Sequence, residues 1–356
     1  MKPEWWMLFL TILLSIGLLG MQWLPLDNRE GLGEKLSASE KSLEGMEVLR
    51  EAALKRGIEP ALEEDPWGTT LIGIEYSELT TTLGNLAVKQ LSLNPNFAAM
   101  VVDQLMEAGI GSGDLVAIHF SGSFPALNLS VLAACDAMGV QTVILSSMGA
   151  SNWGANRTEW TWMDMEQTLM QQGWLKRGSK AITMGGSSDL GIEMPAELHR
   201  QLAERAEGYG IPLIVTESLE EQIRHKWQSY HQEGVPDVLI NVGGNATIYG
   251  SGEYTEALSS GIQPRGFTKP WAEGESLMQL FDEAGIPVIH LLNLRSLAFQ
   301  YDLGEPGDKQ PLPGEGGVFR TPRWIRVYGI FWLFIGMTGV YRIREMGGAE
   351  NAGNSN

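Results

Sequence analysis

At 356 residues the chain is long enough for one large or two ordinary domains with a proper core. Its 43 acidic and 25 basic side chains leave a net charge of −18, which argues against a nucleic-acid surface or an anionic-membrane surface. The same charge disfavours a long acidic polymer as a partner unless the contact is local or bridged by cations. One cysteine, Cys135, excludes an internal disulfide, and its place among alanines in a helical stretch reads as a buried, inert thiol.

Residues 5–26 carry no charge, and at 1.5 Å per residue they span a hydrocarbon core of about 30 Å with tryptophans near both ends. The rival reading, a cleaved signal peptide, has only Lys2 in its n-region and a poor cleavage site at Met21-Gln22-Trp23. Residues 1–26 are therefore expected to be an uncleaved membrane anchor. Residues 37–55 predict an amphipathic helix with Ser39 as N-cap and an apolar side of Leu43, Met46, Leu49 and Leu54. A first strand is expected at 71–74. The hydroxyl-rich stretch 77–84 then leads into a helix through Gln90, and a further helix over 96–108 ends at Gly109.

The most informative stretch is 114–156. Apolar residues 115–120 predict a strand, Ser121-Gly122-Ser123 breaks it, and Pro125 suits a first helical turn. A helix follows over 126–138, closed by Gly139, and a second strand at 142–145 ends in a polar loop over 146–156. This is a βαβ unit with an expected right-handed crossover. Helices are then expected at 160–172, 195–208, 219–232, 276–284 and 294–301, alternating with strands at 181–184, 212–216, 238–242 and 287–291. The pattern predicts an α/β domain over 27–303, a mainly parallel, Rossmann-like sheet with helices on both faces. Residues 304–323 read as a Pro/Gly-rich linker, 324–343 as a second transmembrane helix and 344–356 as a disordered tail. Gly329, Gly336 and Gly339 would let that second span pack on another membrane helix, and the alternative is a buried terminal helix or hairpin. Two spans put both termini on one side of a bacterial cell membrane. The domain is assigned to the outer face because a four-residue tail ahead of the first span commonly stays inside and long domains translocate largely regardless of charge, while the flanking basic residues, split between the two sides, mildly favour the cytoplasmic alternative.

No GxxxxGK[ST] phosphate loop, GxSxG elbow, HExxH or paired CxxC is present, so no cofactor and no nucleotide-driven ligase role are expected. What recurs is a strand followed by small polar residues and a helix. The device occurs at Ser121, Gly122 and Ser123 with Asn128 behind them, at Ser147, Ser151, Asn152 and Asn156, at 185–189, and at Gly243, Gly244 and Asn245. Such loops offer N–H groups and hydroxyls to carboxylate or phosphate oxygens, although the same residues also cap helices and turn corners. Lys269 and Arg295 are the cations expected to face a bound anion. Ser121 and Ser123 are candidate nucleophiles, and Asp164, Glu166 and Asp189 are candidate acids, bases or metal ligands. Asp164 and Glu166 also suit a first helical turn, and His119 and His290 read as satisfied core histidines.

TTTLG (80–84), SGSFPALN (121–128), SSMGASNWGAN (146–156), NVGGNAT (241–247) and HLLNLR (290–295) together resemble the poly-gamma-glutamate system protein family. The resemblance covers nearly the whole chain, including the N-terminal membrane segment. It implies a partner of the ligase and membrane proteins that make and export poly-gamma-glutamate in certain bacteria, and it transfers no catalytic residue. Three readings of function follow. The chain binds the polymer or its glutamyl ends through the strand-end loops; it is a hydrolase or transferase of the gamma-amide, using Ser121 or Ser123 or a metal on Asp164 and Asp189; or it is a scaffold for the synthase.

Overall fold

The computed structural model describes residues 31–250, 258–269 and 275–320, and Gly31–Phe319 form one compact unit. Its centre is a six-stranded sheet of β2 (Leu115–Ser121), β3 (Gln141–Ser147), β7 (Ala181–Thr183), β8 (Val238–Val242), β9 (Gly261–Ile262) and β10 (Val288–Leu291), in the order β7-β3-β2-β8-β10-β9. All pairings are parallel except that of β9 with β10. Four short strands lie outside the central sheet before and after β3. β1 (Thr80–Thr82) pairs in parallel with β4 (Ala150–Ser151), while β5 (Asn156–Arg157) and β6 (Trp160–Thr161) form a small antiparallel hairpin.

Period-two alternation divides the core between the two faces of the sheet. Val116, Ile118, Phe120, Ile144, Ile240 and Ile289 point to one side. There they meet α3 (Phe97–Glu107) and α4 (Pro125–Met138), with α1 (Leu32–Lys55) packed over both. Ala117, Val143, Leu145, Leu239 and Val288 point to the other side, toward α7 (Leu219–Tyr230), α8 (Ala246–Tyr249) and α9 (Leu277–Glu283). The edge near β7 is closed by α6 (Ala196–Gly208) through Leu198 and Leu202. Strands buried on both faces explain the near-continuous apolar runs. The mainly parallel α/β architecture expected from sequence is thus present.

Several elements differ from expectation. α1 begins at Leu32, after Gly31 in the left-handed region, and Ser39 lies inside it with its hydroxyl bonded to the Lys35 carbonyl. Its buried face is built from Ala38, Ser42 and Gly45 as well as Met46 and Leu49, whereas Leu43 and Leu54 are half-buried. Small side chains win there because α1 lies close on α4: a Cβ on Gly45 would sit 3.1 Å from Leu129 and 2.8 Å from Trp174. Residues 71–74 form no strand. Leu71 and Ile72 are buried, while Gly73 and Ile74 bond to the 153–156 loop. Of 212–216 only a single bridge, Leu213 with Ile182, survives.

The stretch read as a linker is attached to the domain as far as it is described. Asn94, Asn96 and Trp67 donate to the carbonyls of Leu303, Leu312 and Gly307, and Val318 and Phe319 join the core. Both proposed membrane spans lie outside the described residues. Among the described residues, no helix is long and apolar enough to cross a membrane.

Candidate functional site

From β2 the chain continues outward to β3 and β7, whereas β8 and β10 lie on the opposite flank of β2. The strand order therefore reverses between β2 and β8. In open α/β sheets the crevice beyond the carboxyl ends at such a reversal is where ligands bind. A cavity of about 490 Å³ lies there, within the usual range for small-molecule sites. Ser121, Ser123 and Phe124 after β2, Ser147, Gly149 and Ser151 after β3, and Gly244 and Asn245 after β8 all line it. Gly186 and Ser187 after β7, and Leu292 after β10, complete that side.

The remaining wall comes from outside the sheet. Residues 81–85 carry the chain across the pocket into α2 (Leu86–Ser92), which Asn85 caps by accepting from the Val88 N–H. Lys89, one turn into α2, is only 2% exposed and faces the cavity. Its Nζ donates to the Ser123 carbonyl and, at 2.8 Å, to the Ser151 hydroxyl, and it lies 3.6 Å from the centre of the Phe124 ring. It forms no ion pair with any described residue. Burial pulls its pKa down to about 7, because removing a lone ammonium from water disfavours the charged form.

Asn152 and Asn156, expected as ligand contacts, brace this wall instead. The Asn152 side chain accepts from the Gly84 N–H, and the Asn156 side chain both accepts from the Ile74 N–H and donates to its carbonyl. Trp153, between them, holds φ at 63°, a left-handed geometry that is uncommon for a bulky residue. Its N–H and carbonyl bond to Ile74 and Gly73 on the facing segment. The 152–156 loop thus positions the segment that delivers Lys89. Asn128 also lies behind the wall, donating to the Ser121 carbonyl. Neither Gly122 nor Gly243 lines the cavity. A Cβ on Gly122 would come within 2.9 Å of the Met148 carbonyl, and Gly243 takes a φ of +81°.

Many loop N–H groups are spent within the protein. Ser123 donates its N–H to the Ser121 hydroxyl and Ser151 donates to the Ser123 hydroxyl, at 3.3 and 3.0 Å. Ser187 gives its N–H to Glu193, and Thr247 gives its own to Asn245. The Gly244 and Asn245 N–H groups are taken by no other described residue. The charge available to an anion is therefore concentrated in Lys89 rather than spread over four loops.

Beneath the floor is a second buried cation. Lys226 and Asp189, both fully buried, pair at 2.5 Å. Lys226 also donates to His119 Nε2 at 3.0 Å, and Asp189 accepts from Thr183 and from Asn245, each at 2.9 Å. Burial lowers the pKa of Lys226, with Asp189 pulling it back up in part, and burial with the charge of Lys226 depresses that of His119 well below its usual value. Through Asn245 this network fixes the pocket floor. A further buried pair lies nearby: Tyr249 meets His290 Nε2 at 3.3 Å, and burial lowers His290 to about 4.

Several expected site residues lie elsewhere. Asp164 is the capping-box residue of α5 (Trp162–Gln171), bonded to Thr161, Arg205 and Tyr209. Glu166 is buried against Ser179, and burial lifts its pKa to about 7. Asp189 belongs to the Lys226 network, so Asp164 and Asp189 share no site. No cluster of three or more His, Cys, Asp or Glu suited to a metal occurs among the described residues. Lys269 lines a separate cavity with Asp282, and Arg295 is exposed in the first turn of α10 (Leu294–Tyr301), outside the pocket.

The pocket that sequence reasoning placed at the strand ends is thus completed by a lysine it did not single out. The available signal was a lone lysine in the apolar run LAVKQL. The fold and its site define an α/β chain with a switch-point pocket. No family model, curated protein or solved structure matches the chain.

Proposed function

We propose that this chain is a membrane-anchored accessory protein of poly-gamma-glutamate synthesis or export whose pocket receives a glutamyl carboxylate. The carrying observation is Lys89, a buried amine without an acidic partner among the described residues, facing a cavity lined largely by hydroxyls, small residues and amides. A carboxylate entering there would raise the lysine's pKa and hold it charged, converting an unfavourable burial into a paired one. Each of the five stretches that carry the family resemblance contributes at least one residue to the cavity wall, which supports the same reading. The net charge of −18 favours capture of a chain end or a single residue over a long tract of polyanion. The synthase's membrane proteins are the expected partners, and the outer face of the membrane the expected location.

The test pairs affinity with stability. Ser123→Ala should weaken binding of a gamma-linked glutamyl oligomer by roughly tenfold, about 1.4 kcal/mol. Gly244→Phe should block the pocket without unfolding the protein, because a Cβ there meets nothing closer than 3.6 Å. Lys269→Ala, in the separate cavity, is the control and should leave affinity unchanged. Unchanged affinity in the first two variants, with a lowered Tm, would make these loops purely structural.

A further inference from the structure

We propose that Ser151 and Lys89 form a nucleophile–base pair that cleaves a gamma-glutamyl amide bond in this pocket, Ser151 being the catalytic nucleophile in place of Ser121 or Ser123. The proposal rests on the reading that the pocket receives a glutamyl segment. A serine hydroxyl is a weak nucleophile unless a base takes its proton, and a neutral lysine amine is such a base when burial keeps it from protonating. Three arrangements around Ser151 meet that need. Its hydroxyl lies 2.8 Å from Lys89 Nζ, within proton-transfer reach, and lines the cavity. The Ser123 carbonyl takes a hydrogen bond from the same Nζ, which orients the amine so that its lone pair can face Ser151. The backbone at Ser151 is held in turn, since its N–H donates to the Ser123 hydroxyl and β4 pairs with β1.

Neither earlier candidate has such a base among the described residues. Ser121 Oγ faces the Val242 carbonyl and the Ser123 N–H, and Ser123 Oγ accepts from the Ser151 N–H. Burial brings Lys89 to about 7, so a substantial fraction of the amine is neutral in the free protein; a bound carboxylate lowers that fraction, and the reactive complex is the one in which Nζ is neutral and the amide, not the carboxylate, lies beside Ser151.

The reaction balances without a cofactor. Lys89 Nζ accepts the Ser151 proton as Oγ attacks the amide carbonyl carbon, forming a C–O bond. The tetrahedral adduct collapses with cleavage of C–N, and Lys89 returns the proton to the departing amine. Water then attacks the resulting ester, giving a proton to Lys89. The C–O bond to Ser151 breaks, the acid product leaves, and Oγ recovers the proton.

The experiment uses the full-length chain, a gamma-linked glutamyl oligomer and a fluorophosphonate that captures activated serines. The expected result is shortening of the oligomer and labelling at Ser151 located by mass spectrometry, with a labelling rate that rises with pH about a midpoint near 7. Ser151→Ala should still bind the oligomer yet not shorten it, and Lys89→Met should slow labelling by roughly 10²–10⁴-fold. Wild-type labelling keeps the test decisive if either variant misfolds. An oligomer that binds but stays intact, with Ser151 unlabelled, overturns the dyad and leaves the binding reading standing. An oligomer that does not bind overturns the glutamyl reading and this substrate assignment with it, whether or not Ser151 is labelled.

Discussion

Two lysines are buried at the carboxyl end of this sheet, and their surroundings are opposite. Lys226, under the floor, has a carboxylate at 2.5 Å, a histidine at 3.0 Å and a threonine hydroxyl at 3.2 Å. Lys89, in the wall, has a carbonyl, a serine hydroxyl and an aromatic face, and no described carboxylate. Desolvating a charge costs several kcal/mol unless a partner returns it. Lys226 has its partner within the fold, so it reads as structure. Lys89 has none among the described residues and borders a cavity, as expected of a group whose partner arrives with a ligand or whose task is to accept a proton.

The largest effect should come from breaking the paired lysine. Asp189→Asn keeps the shape and suits the backbone, since Asp189 sits at φ 61°, where asparagine is tolerated. It leaves Lys226 buried without a counter-charge and should lower stability by about 3–5 kcal/mol, read by chemical denaturation. Adding Lys226→Met should recover most of that loss. An Asp189→Asn protein as stable as its parent would mean the pair is not what holds the floor.

Lys89→Met should do the reverse and stabilise the fold. The fall from 10.5 to about 7 corresponds to on the order of 4–5 kcal/mol of unfavourable burial of the charge. The lost bonds to Ser123 and Ser151 return about 1–3 kcal/mol of this, so a net gain of about 1–4 kcal/mol is expected at pH 7. The folded-state pKa lies below the unfolded one, so between about pH 7 and 10.5 the native state binds fewer protons and parental stability rises with pH. The advantage of Lys89→Met should therefore be greatest below pH 7 and fade toward 10.5. Urea melts of both proteins across that range check the size and the sign, and a variant less stable than the parent at pH 7 would make Lys89 structural.

The same contrast shows what the sequence could and could not tell. The βαβ unit was legible because strand, Pro125 and Gly139 each follow local rules, and the pocket's location follows from strand order once the sheet is parallel. Ser121, Ser123, Ser147, Ser151, Gly244 and Asn245 were found as loop residues next to strand ends, and they do meet at one cavity. Asn152 and Asn156 read alike as ligand contacts or as braces, because both roles use the same amide chemistry. Which one an asparagine serves depends on a partner 68 or 82 positions away in the chain. Lys269 and Arg295 were favoured for sitting in or beside loops, yet the cation that reaches the pocket comes from α2, whose place depends on those braces. No periodicity marks that long-range dependence.

The measurement closest to the central claim is the titration of Lys89 itself, followed by NMR of the labelled lysine side chain and assigned by its absence in Lys89→Met. Lys89 should show a midpoint near pH 7 in the free protein, far below the ordinary lysine value of 10.5. The midpoint should move upward when a gamma-linked glutamyl oligomer is added, as a bound carboxylate favours the ammonium. A Lys89 that titrates near 10.5 and ignores the oligomer would contradict that claim.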